Sequence, residues 1–114
     1  MRNRIFIVTC LLSCLFGCDS PDNWPSRSFD EAGWKAAPED ARYVFVNNLI
    51  ETRKLNGLHR ERIVQLLGKP SSAASDRVIY IIKTGGAGLD EVYILDIGFN
   101  KNTGVVDRVL VRGD

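Results

Sequence analysis

Between residues 41 and 50 the apolar positions return at helical intervals. Ala41, Phe45, Val46, Leu49 and Ile50 fall on one face, while Arg42, Asn47, Glu51 and Arg53 occupy much of the rest, the pattern of a helix with one buried side. Pro38-Glu39-Asp40 supplies a start, since Pro suits the first turn and acids there complement the helix dipole. Asn56-Gly57 offers an end, because Gly tolerates the left-handed backbone that closes helices. A second, shorter helix fits His59–Leu67. Its apolar face is Ile63, Leu66 and Leu67 with Val64 beside it, Gly68 terminates it and Pro70 blocks continuation.

Beyond the serine-rich stretch at 71–75, read as a loop, the period falls to two. Arg77–Thr84 carries Val, Ile and Tyr on both faces, as expected of a strand central in its sheet or covered on both sides. Glu91–Phe99 alternates, with Tyr93, Leu95, Ile97 and Phe99 on one face and Asp96 on the other. Val105–Arg112 is the last strand. Thr84-Gly85-Gly86-Ala87-Gly88 reads as a flexible loop, and Asn100-Lys101-Asn102-Thr103-Gly104 has the composition of a hairpin turn. Across that hairpin, a register setting Asp96 opposite Arg108 and Leu95 opposite Val109 pairs charge with charge and apolar with apolar. The expected fold class is α+β, two N-terminal helices packed on one face of a three-stranded antiparallel β-meander.

The first residues follow another logic. Arg2 and Arg4 precede the uncharged run Ile5–Phe16, which is too short for a membrane-spanning helix, for which about 20 apolar residues are needed. A basic start and a short apolar core make a secretory signal. The first alanine is Ala32, so an Ala-x-Ala cleavage site is missing. Leu15-Phe16-Gly17-Cys18 instead resembles the bacterial lipobox, in which the cysteine takes a diacylglycerol thioether and becomes the new N-terminus. Phe16 departs from the small or β-branched residue usual there. Leu11-Leu12-Ser13-Cys14 is a rival box that would leave Leu15 and Phe16 at the mature end. The expected organisation is a lipoprotein signal peptide over 1–17, a lipidated tether over 18–36 and an α+β domain over 37–114. The acyl anchor on Cys18 makes the membrane a partner, in the periplasm-facing cell envelope. Asp19 resembles the inner-membrane retention signal of enteric bacteria, and other bacteria sort by different rules, so both membranes stay open.

Composition changes this picture in two places. The chain has 15 basic and 14 acidic residues, and loss of the leader removes two arginines and no acid. A near-neutral domain lacks the basic stripe that nucleic acid requires, so no nucleic-acid partner is expected. The three cysteines all lie at or before position 18, which excludes disulfides and thiol-ligated zinc from the domain. Trp24, Phe29 and Trp34 are unusual in a Pro-containing tether. They either dock on the domain or touch a partner.

Leu55-Asn56-Gly57-Leu58-His59-Arg60-Glu61-Arg62-Ile63-Val64-Gln65-Leu66-Leu67-Gly68-Lys69-Pro70, followed by Tyr80, resembles the SmpA/OmlA lipoproteins. That family includes the small BamE-like subunit of the outer-membrane β-barrel assembly machinery. The resemblance spans residues 38–112 and implies structural work for its signature. Gly57 and Gly68 reverse the chain, Pro70 stops the helix, Ile63 and Leu67 fill the core, and Tyr80 packs or bonds at its edge. The architecture also resembles that of proteinaceous β-lactamase inhibitors, which bind an enzyme through the sheet face. Where the assembly subunit carries Gln-Gly-Asn before its first helix, this chain has the Phe29–Leu55 stretch with Trp34 and Arg42.

Catalytic constellations are not found in the sequence. The single histidine, His59, sits at a helix entry, the serines lack a Gly-x-Ser-x-Gly setting, and Asp90-Glu91 point to opposite faces of a strand. Gly85–Gly88 lacks the Lys-Ser/Thr of a phosphate loop, and Arg112-Gly113-Asp114 matches an adhesion tripeptide that chance explains. No enzyme activity, cofactor or metal is expected. Expected instead is a lipid-anchored binding or scaffold protein, which the resemblance extends to outer-membrane protein assembly or envelope integrity, its partner an envelope protein. Trp34, Tyr93 and the Gly86 tip are the candidate contacts. The alternative is an inhibitor of a periplasmic enzyme.

Overall fold

The computed structural model describes residues 23–84 and 92–113. Among these, three α-helices precede the sheet. The first, α1 (Glu31–Ala36), starts at Asp30, whose Oδ2 accepts a hydrogen bond from the Gly33 amide at 2.8 Å, the cap a short acidic side chain favours. This helix lies inside the segment expected to be tether, and that expectation is corrected from Trp24 onward. Trp24 and Trp34 are buried in the core and Phe29 packs against it. The Arg27 amide donates to the Val44 carbonyl at 2.9 Å, and the Phe29 amide donates to Asn48 Oδ1 at 2.8 Å. Three aromatic rings in one stretch remove enough apolar surface from water to hold a polar, Pro-containing segment down.

A 3₁₀ turn at Glu39–Ala41 leads into α2 (Tyr43–Glu51), which buries the predicted Phe45, Val46 and Leu49. It ends before Asn56-Gly57. Arg53 takes the left-handed conformation (φ +52°), its amide donates to the Ile50 carbonyl, and the Lys54 amide reaches back to the Leu49 carbonyl. That pair of bonds is a Schellman closure, with arginine where glycine is usual. The early stop turns Leu55 into the core with no exposed surface. Gly57 (φ +81°) then donates its amide to the Val106 carbonyl, and the Val106 amide donates to the Leu58 carbonyl, which stitches this turn to the last strand. From there α3 (Arg60–Leu67) buries Ile63 and Leu67 and ends at Gly68, φ +83°.

Four antiparallel strands follow in sequence order, β1 (Ser72–Ala74), β2 (Arg77–Thr84), β3 (Val92–Phe99) and β4 (Val106–Gly113). The α+β class is as expected, with β1 and α1 in addition to the expected elements. β1 sits where the serine loop was expected. Small side chains give it no hydrophobic alternation, and it is held by pairing to Arg77–Ile79 and by Arg60, whose Nη2 donates to the Ala74 and Ser75 carbonyls. The hairpin register is corrected too. Asp96 faces Leu110 and Leu95 faces Val111, while Arg108 faces Gly98. Phe99 pairs with Val106 and Gly98 with Arg108, so Asp107 is an extra residue in a bulge beside the turn. From Arg108 onward the slip from expectation is two residues, so those side chains keep their expected face; before the bulge it is one, and Val106 turns from the Asp96 face into the core beside Phe99.

The helices bury their apolar faces against Val78, Tyr80 and Ile82 of β2 and Leu95, Ile97 and Phe99 of β3. Trp34 lies at the centre with no exposed surface. Its Nε1–H donates to the Leu67 carbonyl at 2.9 Å, and the Tyr80 hydroxyl donates to the Gly68 carbonyl at 2.7 Å. Both acceptors belong to the end of α3, where helix carbonyls lack intrahelical donors. Arg42 closes the arrangement, with its guanidinium 5.0 Å from the Trp34 ring and its Nε–H on the Trp34 carbonyl at 3.0 Å.

Three measurements test this packing. Trp34→Ala should lower stability in urea unfolding by about 3–5 kcal/mol. Arg53→Gly should raise it by about 1 kcal/mol, because glycine adopts the left-handed conformation without a Cβ clash. Burial pushes the Tyr80 hydroxyl up to about 12, against a smaller lowering by Arg42. Between about pH 10 and that value the unfolded chain releases this proton and the folded chain keeps it, so stability falls as pH rises. Tyr80→Phe should flatten that part of the stability–pH curve, at a cost of about 1 kcal/mol at neutral pH.

Candidate functional site

Alternation along the strands leaves the second face of the sheet to Arg77, Ile79 and Ile81 of β2, Ile94, Asp96 and Gly98 of β3, and Arg108, Leu110 and Arg112 of β4. The buried residues of α1, α2 and α3 all join the cluster on the other face. Ile79, Ile81 and Leu110 are half-buried, and Arg108 and Arg112 are exposed. The surface is an apolar patch crossed by charges, with a carboxylate at its centre.

Asp96 is buried, its side chain only 3% exposed. Its Oδ2 lies 3.2 Å from Arg77 Nη1 and 3.1 Å from Arg112 Nε, whereas Oδ1 has no hydrogen-bond partner. A buried carboxylate is costly unless paired, and the register explains how two strands supply the pair. Arg77 stands on β2 opposite Gly98, and Arg112 on β4 opposite Ile94, each one diagonal step from Asp96. Arg108 spreads over Gly98, where a Cβ would overlap its guanidinium. It forms no ion pair among the described residues. The cluster therefore offers an unpaired guanidinium fork, which suits a carboxylate, while Asp96 Oδ1 stays buried beneath it.

The predicted contact residues lie elsewhere. Cys18 and Gly86 fall outside the described residues. Trp34 is corrected from a candidate contact to the centre of the core, because its indole N–H is the donor that α3 needs at its end. Tyr93 is corrected from a candidate contact to a half-buried residue of the helix-covered face, its ring 5.2 Å from that of Trp24. The alternation had assigned it that side, and the docked Trp24 covers it. The arginines were not singled out from the sequence. Asp96 was placed on the opposite face from the core, but a slipped register matched it with Arg108, and Arg112 was seen only inside a tripeptide.

At one end of the sheet, His59, Arg60, Asp76, Phe99 and Lys101 line an open cleft of about 460 Å³. His59 is exposed at the start of α3 and makes no side-chain cap. The Arg60 guanidinium is committed to two carbonyls and to the Phe99 ring, 4.9 Å away. The cleft thus mixes basic and acidic side chains, with its Arg60 already engaged. No group of three His, Cys, Asp or Glu residues among the described residues is placed to hold a metal ion.

The two Arg–Asp96 pairs should prove coupled. Arg77→Ala and Arg112→Ala each leave Asp96 one guanidinium, but the double variant leaves a buried charge unpaired. Urea unfolding should show the double loss exceeding the sum of the single losses by at least about 1 kcal/mol. Comparison of the chain with protein-family models, curated proteins and solved structures finds no match.

Proposed function

We propose that this chain is a lipid-anchored binding module of the bacterial cell envelope, docking a protein partner on the open face of its sheet. The observation that carries the reading is the Asp96 cluster. Arg77, Arg108 and Arg112 stand beside half-buried isoleucines and a leucine on a face that the helices leave uncovered; Arg77 is shared between Asp96 and Asp76, 3.6 Å away, Arg112 pairs with Asp96, and Arg108 is left over. That charge balance fits a partner surface carrying carboxylates, set against apolar side chains. Among the described residues no helix is long and apolar enough to cross a membrane, and in this reading acyl chains on Cys18 provide the attachment. The resemblance to the SmpA/OmlA lipoproteins supports an accessory role in outer-membrane protein assembly or envelope integrity. Helices on one side of the sheet and an open second face agree with a BamE-like arrangement. Binding through such a face is non-enzymatic.

Mild crosslinking and pull-down of the full-length protein from membranes tests this, with Cys18→Ser and Arg108→Gln as variants. Arg108 is exposed and Gln brings no like charge to Asp96, so Arg108→Gln should leave the melting temperature unchanged while weakening partner recovery about tenfold, equivalent to about 1.4 kcal/mol. Recovery of β-barrel assembly components, reduced in Cys18→Ser, is the expected result. A single unrelated periplasmic enzyme recovered equally without the lipid would replace the assembly role with that of an inhibitor using the same face.

A further inference from the structure

The seat of Trp24 sets how far the domain can stand from its anchor. Its ring packs edge-on against Tyr43, centroids 5.3 Å apart, and against Tyr93 at 5.2 Å. The Arg27 and Phe29 amides are bonded to α2 immediately after it. The chain is therefore part of the domain from Trp24 on. Five residues lie between Cys18 and Trp24, and those six steps span at most about 22 Å even if fully extended. A free tether reaching Ala36 would have allowed about 60 Å.

Trp24 lies at one end of the sheet. Tyr93 pairs with Lys83, the Lys83 ammonium sits 4.9 Å from the Tyr43 ring, and Tyr93 also faces Gly113. The Asn100–Gly104 turn and Asp76 lie at the other end of β3. An eight-residue strand separates these ends by about 26 Å, more than the tether can span. Near Trp24 this end carries half-buried Tyr43, Lys83 and Tyr93, residue types whose apolar bodies and polar tips suit the water–headgroup boundary.

We infer that the end of the sheet bearing Tyr43, Lys83 and Tyr93 faces the bilayer surface, with the Asn100–Gly104 turn pointing away from it. The inference rests on acylation at Cys18. It keeps that end of the open face close to the bilayer, toward a partner that itself lies there.

Fluorescence transfer in vesicles reads this orientation. Thr84→Cys and Lys101→Cys variants of the full-length protein are expressed in bacteria and labelled with a donor, the acylated Cys18 being unreactive. They are reconstituted in phosphatidylcholine vesicles carrying a headgroup acceptor. Transfer should be at least about twofold greater from position 84 than from position 101, given their separation along the strands. A Gly/Ser spacer of about 20 residues between Pro21 and Asp22 adds a coil of roughly 25 Å and should bring the two positions to equal transfer. Equal transfer without the spacer, or greater transfer from 101, overturns the orientation while leaving the anchor in place. A purified protein whose mass shows no acyl group overturns the anchoring itself, and the orientation with it.

Discussion

Closure of the short helix α3 by two aromatic side chains is the interaction on which the remaining structure depends. The last carbonyls of a helix have no donors of their own, and here those of Leu67 and Gly68 point into protein. The Trp34 indole and the Tyr80 hydroxyl supply the missing donors. One comes from the N-terminal segment and the other from the central strand β2, so a single helix end ties three parts of the chain together. The surroundings are apolar, and in such a place an unmet carbonyl costs more than a net hydrogen bond returns. That asymmetry makes the arrangement specific as well as stable.

From this closure the two faces of the sheet acquire different tasks. The N-terminal segment is drawn across α2 because Trp34 must reach Leu67, and Phe29 and Trp24 follow it into contact with Phe45, Tyr43 and Tyr93. With all this aromatic surface on one side, the second face is left to arginines, aliphatic side chains and one buried aspartate. Ion pairing through Arg77 and Arg112 lets the aspartate remain there. Gly98 gives Arg108 room to lie flat beside them. The sheet thus carries the core on one side and a charged, partly apolar surface on the other.

The same packing converts an expected tether into a fixed strap. Pro and Ser content alone describes a solvated linker, but three rings spaced along it bury apolar area that no linker needs to hide. A shortened reach then becomes a mechanical property. Under the proposed acylation of Cys18, it would hold the open face in a layer near the bilayer and narrow the class of partners that can meet it.

Periodicity alone determined the α+β class, the buried faces of the two predicted helices and the alternation of β3, with Phe45, Val46, Leu49, Ile63, Leu67, Leu95, Ile97 and Phe99 in the core. Each of those follows from the repeat of apolar side chains at helical or strand spacing, which is local. The Gly68–Pro70 stop to α3 was likewise readable, because the required backbone conformation is written in the residue type. Tertiary structure decided the rest. A left-handed Arg53 ends α2 early because Leu55 must enter the core, and arginine carries no signal for that conformation. β1 exists because β2 and Arg60 hold it, not because of its own small side chains. The register of β3 on β4 depends on a one-residue bulge at Asp107, and charge matching on paper cannot see a bulge. Trp34 and Tyr93 were legible as large aromatics, but whether such a ring meets a partner or the core depends on which carbonyl or ring lies across from it in the folded chain.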